Sequence, residues 1–197
     1  MLKIRSRKPE PDKTSDNFIV DRVISGQKEE FKQIVERYEG KLTRYAYSII
    51  RDPDMASDVV QNTFIKAYVN LKSFDTNKKF STWIYRIAHN EAINMIKKES
   101  KNIRPDDEEW FDRLPDTAEP ISEKLDREFL KSTISKEFNK IPMKYKDPLM
   151  LYYIERQSYK QISEVLKLPV STIGTRINRA KKMLGLLLSD KGIDYEQ

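Results

Sequence analysis

Apolar residues recur every three or four positions through most of this chain. That period constrains the fold more than any other feature. Phe31, Ile34, Val35, Tyr38, Leu42, Tyr45, Ala46 and Ile49 keep to it, so the spacing predicts one long amphipathic helix over residues 28–51. Asp52-Pro53 then reads as an N-cap followed by a first-turn proline. The next helix is expected to carry Val60, Phe64, Ala67, Tyr68 and Leu71 inward. Only 5 of the 197 residues are Gly, against about 14 at average usage. A turn-rich β protein and a phosphate-cradling glycine loop are both disfavoured. The expected fold is all-α, built as two small helical domains.

The stretch FSTWIYRIAHNEAINMIKK, from Phe80 to Lys98, carries the first functional signal. Read as a helix, it places Trp83, Arg86, Asn90, Asn94 and Lys97 on one face. Ile84, Ile87, Ala88, Met95 and Ile96 supply most of the apolar face. An aromatic ring, a guanidinium, two carboxamides and an ammonium in one stripe can grip phosphates and read or stack bases. The bland reading is that Trp and Tyr at helical spacing are core residues. The preceding basic loop KSFDTNKKF, residues 72–80, favours function, because loop aromatics beside cations can accept an unstacked base. Ser81 is the expected N-cap of this helix, with Phe80 as its staple.

A second signal lies near the C-terminus. Helical pattern resumes near Ser122 with Leu125, Phe129, Ile134 and Phe138, and continues from Tyr145 to Ile154 with an interruption at Pro148. Ser158 and Gln161 fit a capping box. YKQISEVLK, a break at LPV, and STIGTRINRAKKMLGLLL then form a helix-turn-helix pattern. Ile162, Val165, Leu166 and Leu168 are expected to pack the first helix, and Ser171 to cap the second. Ile173, Ile177, Ala180 and Leu184 would be its buried side. Thr172, Thr175, Arg176, Arg179 and Lys182 would then face a major groove. The competing reading is a helical hairpin with a solvated basic face.

Net charge is +6, with a pI near 9.2, which suits a polyanionic partner. Its distribution says more. Lys72 to Arg104 holds eight basic and three acidic residues, and Val165 to Ser189 five basic and none acidic. Pro105 to Leu130 between them holds three basic and ten acidic. A uniformly solvated surface would mix the signs. Zero Cys excludes a disulfide framework and thiolate zinc sites, and the single His89 has no evident second ligand. No metal, cofactor or small-molecule substrate is expected. The carboxylates of the acidic run have no companion base, so no enzyme is read here. The N-terminus lacks an apolar signal region, and no run of about 18 apolar residues exists to insert in a membrane. A cytoplasmic protein is expected.

These residues, taken together and in order, resemble the extracytoplasmic-function sigma factors of the sigma-70 family. The resemblance covers about residues 17–100 and 125–188. DMASDVVQNTFIKAY is similar to the segment that docks on the polymerase clamp helices, and SFDTNKKFSTWIYRIAHNEAINMIKK to the −10 recognition and melting segment. IPMKYKDPLMLYYIERQSYKQISEVLKLP and VSTIGTRINRAKKML resemble the −35 domain.

The resemblance implies polymerase contacts at Asp58, Gln61 and Asn62. It implies −10 contacts at Arg86, Asn90 and Asn94, beside Trp83 and Lys97. The loop that captures a flipped base would hold or adjoin Phe74, Asp75, Lys79, Phe80, Ser81 and Thr82. The −35 helix would use Ser171, Thr172, Thr175, Arg176, Arg179 and Lys182. Implied partners are the polymerase core, through its clamp helices and flap, promoter DNA, and an anti-sigma factor.

The implied organisation is a basic tail (1–15), region 2 (16–100), an acidic linker (101–121), region 4 (122–190) and a short tail (191–197). The linker would run through polymerase channels made for nucleic acid. Three positions depart from the family pattern. Asn62 stands where Glu is frequent, Gly174 where a basic residue is common, and Pro148 inside a helix that is usually smooth. A stand-alone helix-turn-helix regulator is the runner-up. The Trp83 stripe and the docking segment argue against it.

Overall fold

Ser15 opens the first helix by accepting a hydrogen bond from the Phe18 N–H, which satisfies one of the orphan donors of a helix start. The structure, a computed structural model, describes residues 14–99 and 134–193. The expected linker, most of both tails, and Leu125 and Phe129 lie outside the described residues. Every regular element within them is helical.

The N-terminal half holds α1 (Asp16–Ile24), a 3-10 turn (Lys28–Glu30), α2 (Phe31–Ile50), α3 (Pro53–Val69), a second 3-10 turn (Leu71–Ser73) and α4 (Phe80–Glu99). The C-terminal half holds a helical stretch at 134–138, then α5 (Met143–Tyr153), α6 (Tyr159–Leu166) and α7 (Val170–Ser189).

Residues expected in one helix over 28–51 divide into the 3-10 turn and α2, which ends at Arg51 in the left-handed region (φ 62). Asp52 caps α3 through a 2.8 Å bond from the Met55 N–H, with Pro53 in the first turn. Ile34, Leu42, Tyr45, Val59, Ala67, Ile84 and Ala88 fill the centre of this half. Tyr68 departs from expectation. It lies at the rim, 40% exposed, with its ring edge-on to Phe31 at 5.0 Å. A half-apolar ring can sit at a wet boundary while its body still packs.

Ser81 does not cap α4, because the helix already includes Phe80 and Ser81 is its second residue. Ser171 likewise falls in the first turn of α7. Pro169, extended at φ −57 and ψ 144, takes the cap position instead. A proline there fixes the entry angle, and the helix starts at Val170, two residues before a cap at Ser171 would start it. The capping box of α6 is formed: the Gln161 N–H donates to Ser158 Oγ at 3.3 Å, and the Ser158 N–H donates to Gln161 Oε1 at 2.9 Å. Pro148, expected as an interruption, lies inside an unbroken α5.

Ile162, Val165, Ile173, Ile177, Ala180 and Leu184 meet where α6 and α7 cross, and Leu151 packs beneath them. The turn between α6 and α7 rests on Lys167, a non-glycine residue at φ 55. The C-terminal end closes in a Schellman pattern, with Gly192 at φ 70 and the Ile193 N–H bonded to Leu188 O at 3.0 Å. A Cβ on Gly174 would meet only the Tyr159 ring, at 3.5 Å, which is ordinary contact. Gly174→Ala is therefore expected to stabilise the protein by about 1 kcal/mol through helix propensity. A rise in the thermal midpoint checks this.

Candidate nucleic-acid interface

The loop leading into α4 is shaped by short-range bonds. Asp75 Oδ1 accepts from the Asn77 N–H at 3.1 Å and from its carboxamide at 3.0 Å, while the Lys78 N–H donates to Asp75 O at 2.9 Å. Asn17, from α1, donates to Thr76 O at 2.6 Å and to Lys78 O at 3.0 Å. Phe74 and Phe80 point inward and are buried, with ring centroids 5.5 Å apart. Trp83 lies 5.2 Å from Phe74 and 5.5 Å from Phe80. These three rings make a floor rather than a free ring in solution. Over that floor opens a cavity of about 140 Å³, lined by Ser73, Phe74, Asp75, Lys78, Lys79, Thr82, Trp83, Arg86 and Glu164.

The rest of the stripe continues along α4. Asn90, Asn94 and Lys97 are exposed, Trp83 and Arg86 half-buried, and Thr82 buried. Trp83, Arg86, Asn90, Asn94 and Lys97 therefore share one accessible side, with Lys79 at its loop end. Ser81 is half-buried at the same end. The cations supply sequence-independent attraction to phosphate, and the carboxamides can pair with base edges.

On α7, Ser171, Thr175, Arg179 and Lys182 are exposed, and Thr172 and Arg176 half-buried. Thr175 Oγ1 donates back to Ser171 O at 3.0 Å. The two arginines turn toward α5. Arg176 Nη1 donates to Lys144 O at 3.4 Å, and Arg179 Nη1 donates to Tyr145 Oη at 3.3 Å. The face is cationic, but its guanidiniums are partly engaged within their own half.

On α3, Asp58, Gln61 and Asn62 are all exposed. Ile65 and Val69 continue the same side of the helix, 55% and 73% exposed. These two were absent from the site read in the sequence. Their spacing of three and seven from Asn62 was the available signal, overlooked because apolar residues at helical period are ordinarily taken as core.

The two cationic faces lie on halves that touch. Tyr45 donates to Asp147 Oδ1 at 2.7 Å, and His89 Nδ1 lies 3.1 Å from Asp147 Oδ2. Tyr85 donates to Glu155 Oε2, and Arg44 stands 3.6 Å from Glu155 Oε1. Arg51 donates to Asn139 O. Burial, then the Asp147 charge, pushes the Tyr45 phenol well above its ordinary value. Tyr85 rises for the same first reason, with its bond to Glu155 next. Burial pulls the Lys146 ammonium down to about 8, with Arg51 adding to the fall and Asp147 opposing it. Gln161 Nε2 donates to Thr82 Oγ1 at 3.2 Å, and Glu164 lines the cavity over the aromatic floor. A carboxylate from the C-terminal half thus lines the same cavity as Lys78, Lys79 and Arg86.

None of these contacts across the seam was identified from the sequence. Tyr45 and Asp147 lie 102 positions apart, and no local pattern links them. His89 joins the seam rather than a ligand set. No cluster of three or more potential metal ligands occurs among the described residues. No helix among them is long and apolar enough to cross a membrane.

The family profile Sigma-70 region 2 matches residues 34–102, and Sigma-70, region 4 matches residues 133–184. The chain is 35% identical over 179 residues to the ECF RNA polymerase sigma factor SigW of Bacillus subtilis, covering 87% of this chain and 95% of that one. It is 34% identical to the ECF RNA polymerase sigma-E factor of Haemophilus influenzae, covering 86% and 93%. Among solved structures, CnrH in complex with the cytosolic domain of CnrY superposes with a TM-score of 0.66 at 25% identity, covering 89% of this chain and 97% of that one. The sigma factor RpoE of Bartonella quintana, solved with the anti-sigma factor NepR, shares the fold, with a TM-score of 0.63 at 23% identity and coverage of 81% and 97%.

Proposed function

This chain belongs to the extracytoplasmic-function sigma factors of the sigma-70 family, and from that premise we propose how its separate faces work. It binds the RNA polymerase core and directs promoter recognition and transcription initiation. We assign the −10 element to Lys79, Trp83, Arg86, Asn90, Asn94 and Lys97. The cavity above Phe74 and Phe80 is the place for a base taken out of the stack, with Asp75, Ser81 and Thr82 at its edge. The −35 element falls to Ser171, Thr172, Thr175, Arg176, Arg179 and Lys182. Asp58, Gln61 and Asn62, extended by Ile65 and Val69, form the docking stripe for the polymerase clamp.

One observation carries this reading. A single chain offers two cationic helix faces on different halves, and a third exposed stripe in which Ile65 and Val69 stand beside Asp58, Gln61 and Asn62. A stand-alone regulator needs only the first of the two kinds. The energetics agree. Opening about ten base pairs costs roughly 14 kcal/mol at about 1.4 kcal/mol per step. A base stacked on an aromatic side chain returns about 1–3 kcal/mol. The chain must therefore act with a larger machine, which also carries out the synthesis, and is itself no enzyme. Its place of work is the cytoplasm, with promoter DNA and polymerase core as partners and an anti-sigma factor as a third.

In the arrangement described, Gln161 and Glu164 stand at the −10 cavity, so promoter engagement requires the halves to part. In vitro transcription with purified core on a promoter library tests the assignment: enrichment of paired −10 and −35 motifs is expected, and transcripts independent of the added chain would overturn it. Val69→Asp, on a residue 73% exposed, is expected to lower core affinity at least tenfold while the thermal midpoint holds. Sedimentation of the chain with core checks this.

A further inference from the structure

The geometry points to Pro148 as a positioning residue for the −35 face, acting through Arg176. Pro148 sits inside α5, where an α-helix joins each N–H to the carbonyl four residues before it. Proline has no N–H. The carbonyl that an N–H at 148 would reach is that of Lys144. Arg176 Nη1, reaching across from α7, donates to that oxygen at 3.4 Å. Pro148, Lys144 and Arg176 also line one cavity, of about 310 Å³, together with Met143 and Leu168. The proline inside α5 and the inward turn of a recognition-helix arginine are thus one feature. A carbonyl denied its helical donor accepts a hydrogen bond from a guanidinium instead.

This has a consequence for reading DNA, and it rests on the −35 assignment above. Arg pairs with guanine through two parallel bonds, which requires its planar fork to be free and aimed outward. At Arg176 one arm of the fork is turned toward α5, and the side chain is half-buried. Arg179, bonded to Tyr145 Oη at 3.3 Å but exposed, keeps its access. Pro148 therefore weakens guanine readout at the base pair facing Arg176 and leaves more of the specificity to Thr175 and Arg179. Restoring an N–H at 148 supplies the Lys144 oxygen from within the helix and removes what holds the guanidinium in.

The test compares Pro148→Ala, Arg176→Ala and the double variant, each as full-length chain assembled with polymerase core, on a promoter library randomised across the −35 element. Pro148→Ala is expected to raise preference for guanine at one position about 5-fold or more, within the range of one bidentate contact. The −10 preference and core affinity should stay at wild-type values. In the Arg176→Ala background the same change should have no effect on base preference. A readout without DNA runs beside it: the Arg176 Nε–H resonance of the chain alone should move on Pro148→Ala. Unchanged −35 preference, an equal shift in the Arg176→Ala background, or an unmoved Arg176 resonance each overturns the proposal. Failure of the wild-type chain to direct transcription would instead overturn the functional assignment, and the resonance experiment would still decide the coupling.

Discussion

Glu155→Arg is expected to part the two halves of the chain. The Glu155 side chain is 3% exposed, while its partner Arg44 is 55% exposed. Tyr85, raised by burial, donates to the same carboxylate. Removing one partner of a buried charged pair costs about 3–5 kcal/mol. The exposure of Arg44 argues for the lower end, because solvent screens it. The closed arrangement then loses roughly two orders of magnitude against the open one, since 1.4 kcal/mol is a factor of ten. Small-angle scattering should show a larger radius of gyration. Binding to a single-stranded −10 oligonucleotide should strengthen, because Glu164 leaves the cavity and Gln161 releases Thr82 at its wall. A radius and an affinity both equal to wild type would mean that the seam does not control access.

Phe80→Ala carries the second large effect, and it lands on stability. The ring is 1% exposed and lies edge-on to Tyr38 at 5.9 Å and to Phe74 at 5.5 Å, with Trp83 tilted against it at 5.5 Å. Truncating a buried Phe leaves a cavity and costs about 3–5 kcal/mol. That is a large share of the roughly 5–15 kcal/mol that holds a domain together. The urea midpoint of the chain should fall accordingly, and Phe80→Leu should recover part of it. Normal stability with lost promoter melting would make Phe80 a ring that meets DNA, contrary to its burial. Phe74, equally walled in, should follow the same rule, whereas Asn90→Ala, on an exposed carboxamide, should spare stability and impair open-complex formation.

The helical period located α2, α3, α4, α6 and α7, because burial of one face writes itself into spacing along the chain. Caps that act within four residues were legible too, as at Asp52 and the Ser158–Gln161 box. Ser81 and Ser171 misled for a physical reason. A hydroxyl can cap only if the backbone leaves the helix there, and Phe80 and Pro169 moved that point upstream. Tyr68, Ile65 and Val69 show the limit of periodicity. An apolar residue on a helix signals a face that is covered, without saying whether this chain or another covers it.

By itself the sequence determined the all-α class, the two basic faces and the family, since each is a local pattern repeated often enough to be specific. Only the tertiary structure decided that Asp147 and Glu155 are buried against Tyr45 and Tyr85, that Glu164 lines the cavity beside Phe74 and Trp83, and that Arg176 turns toward the Lys144 carbonyl. Those contacts join residues far apart in the chain. Their strength comes from desolvation, which is set by what surrounds a group in three dimensions and leaves no period in one.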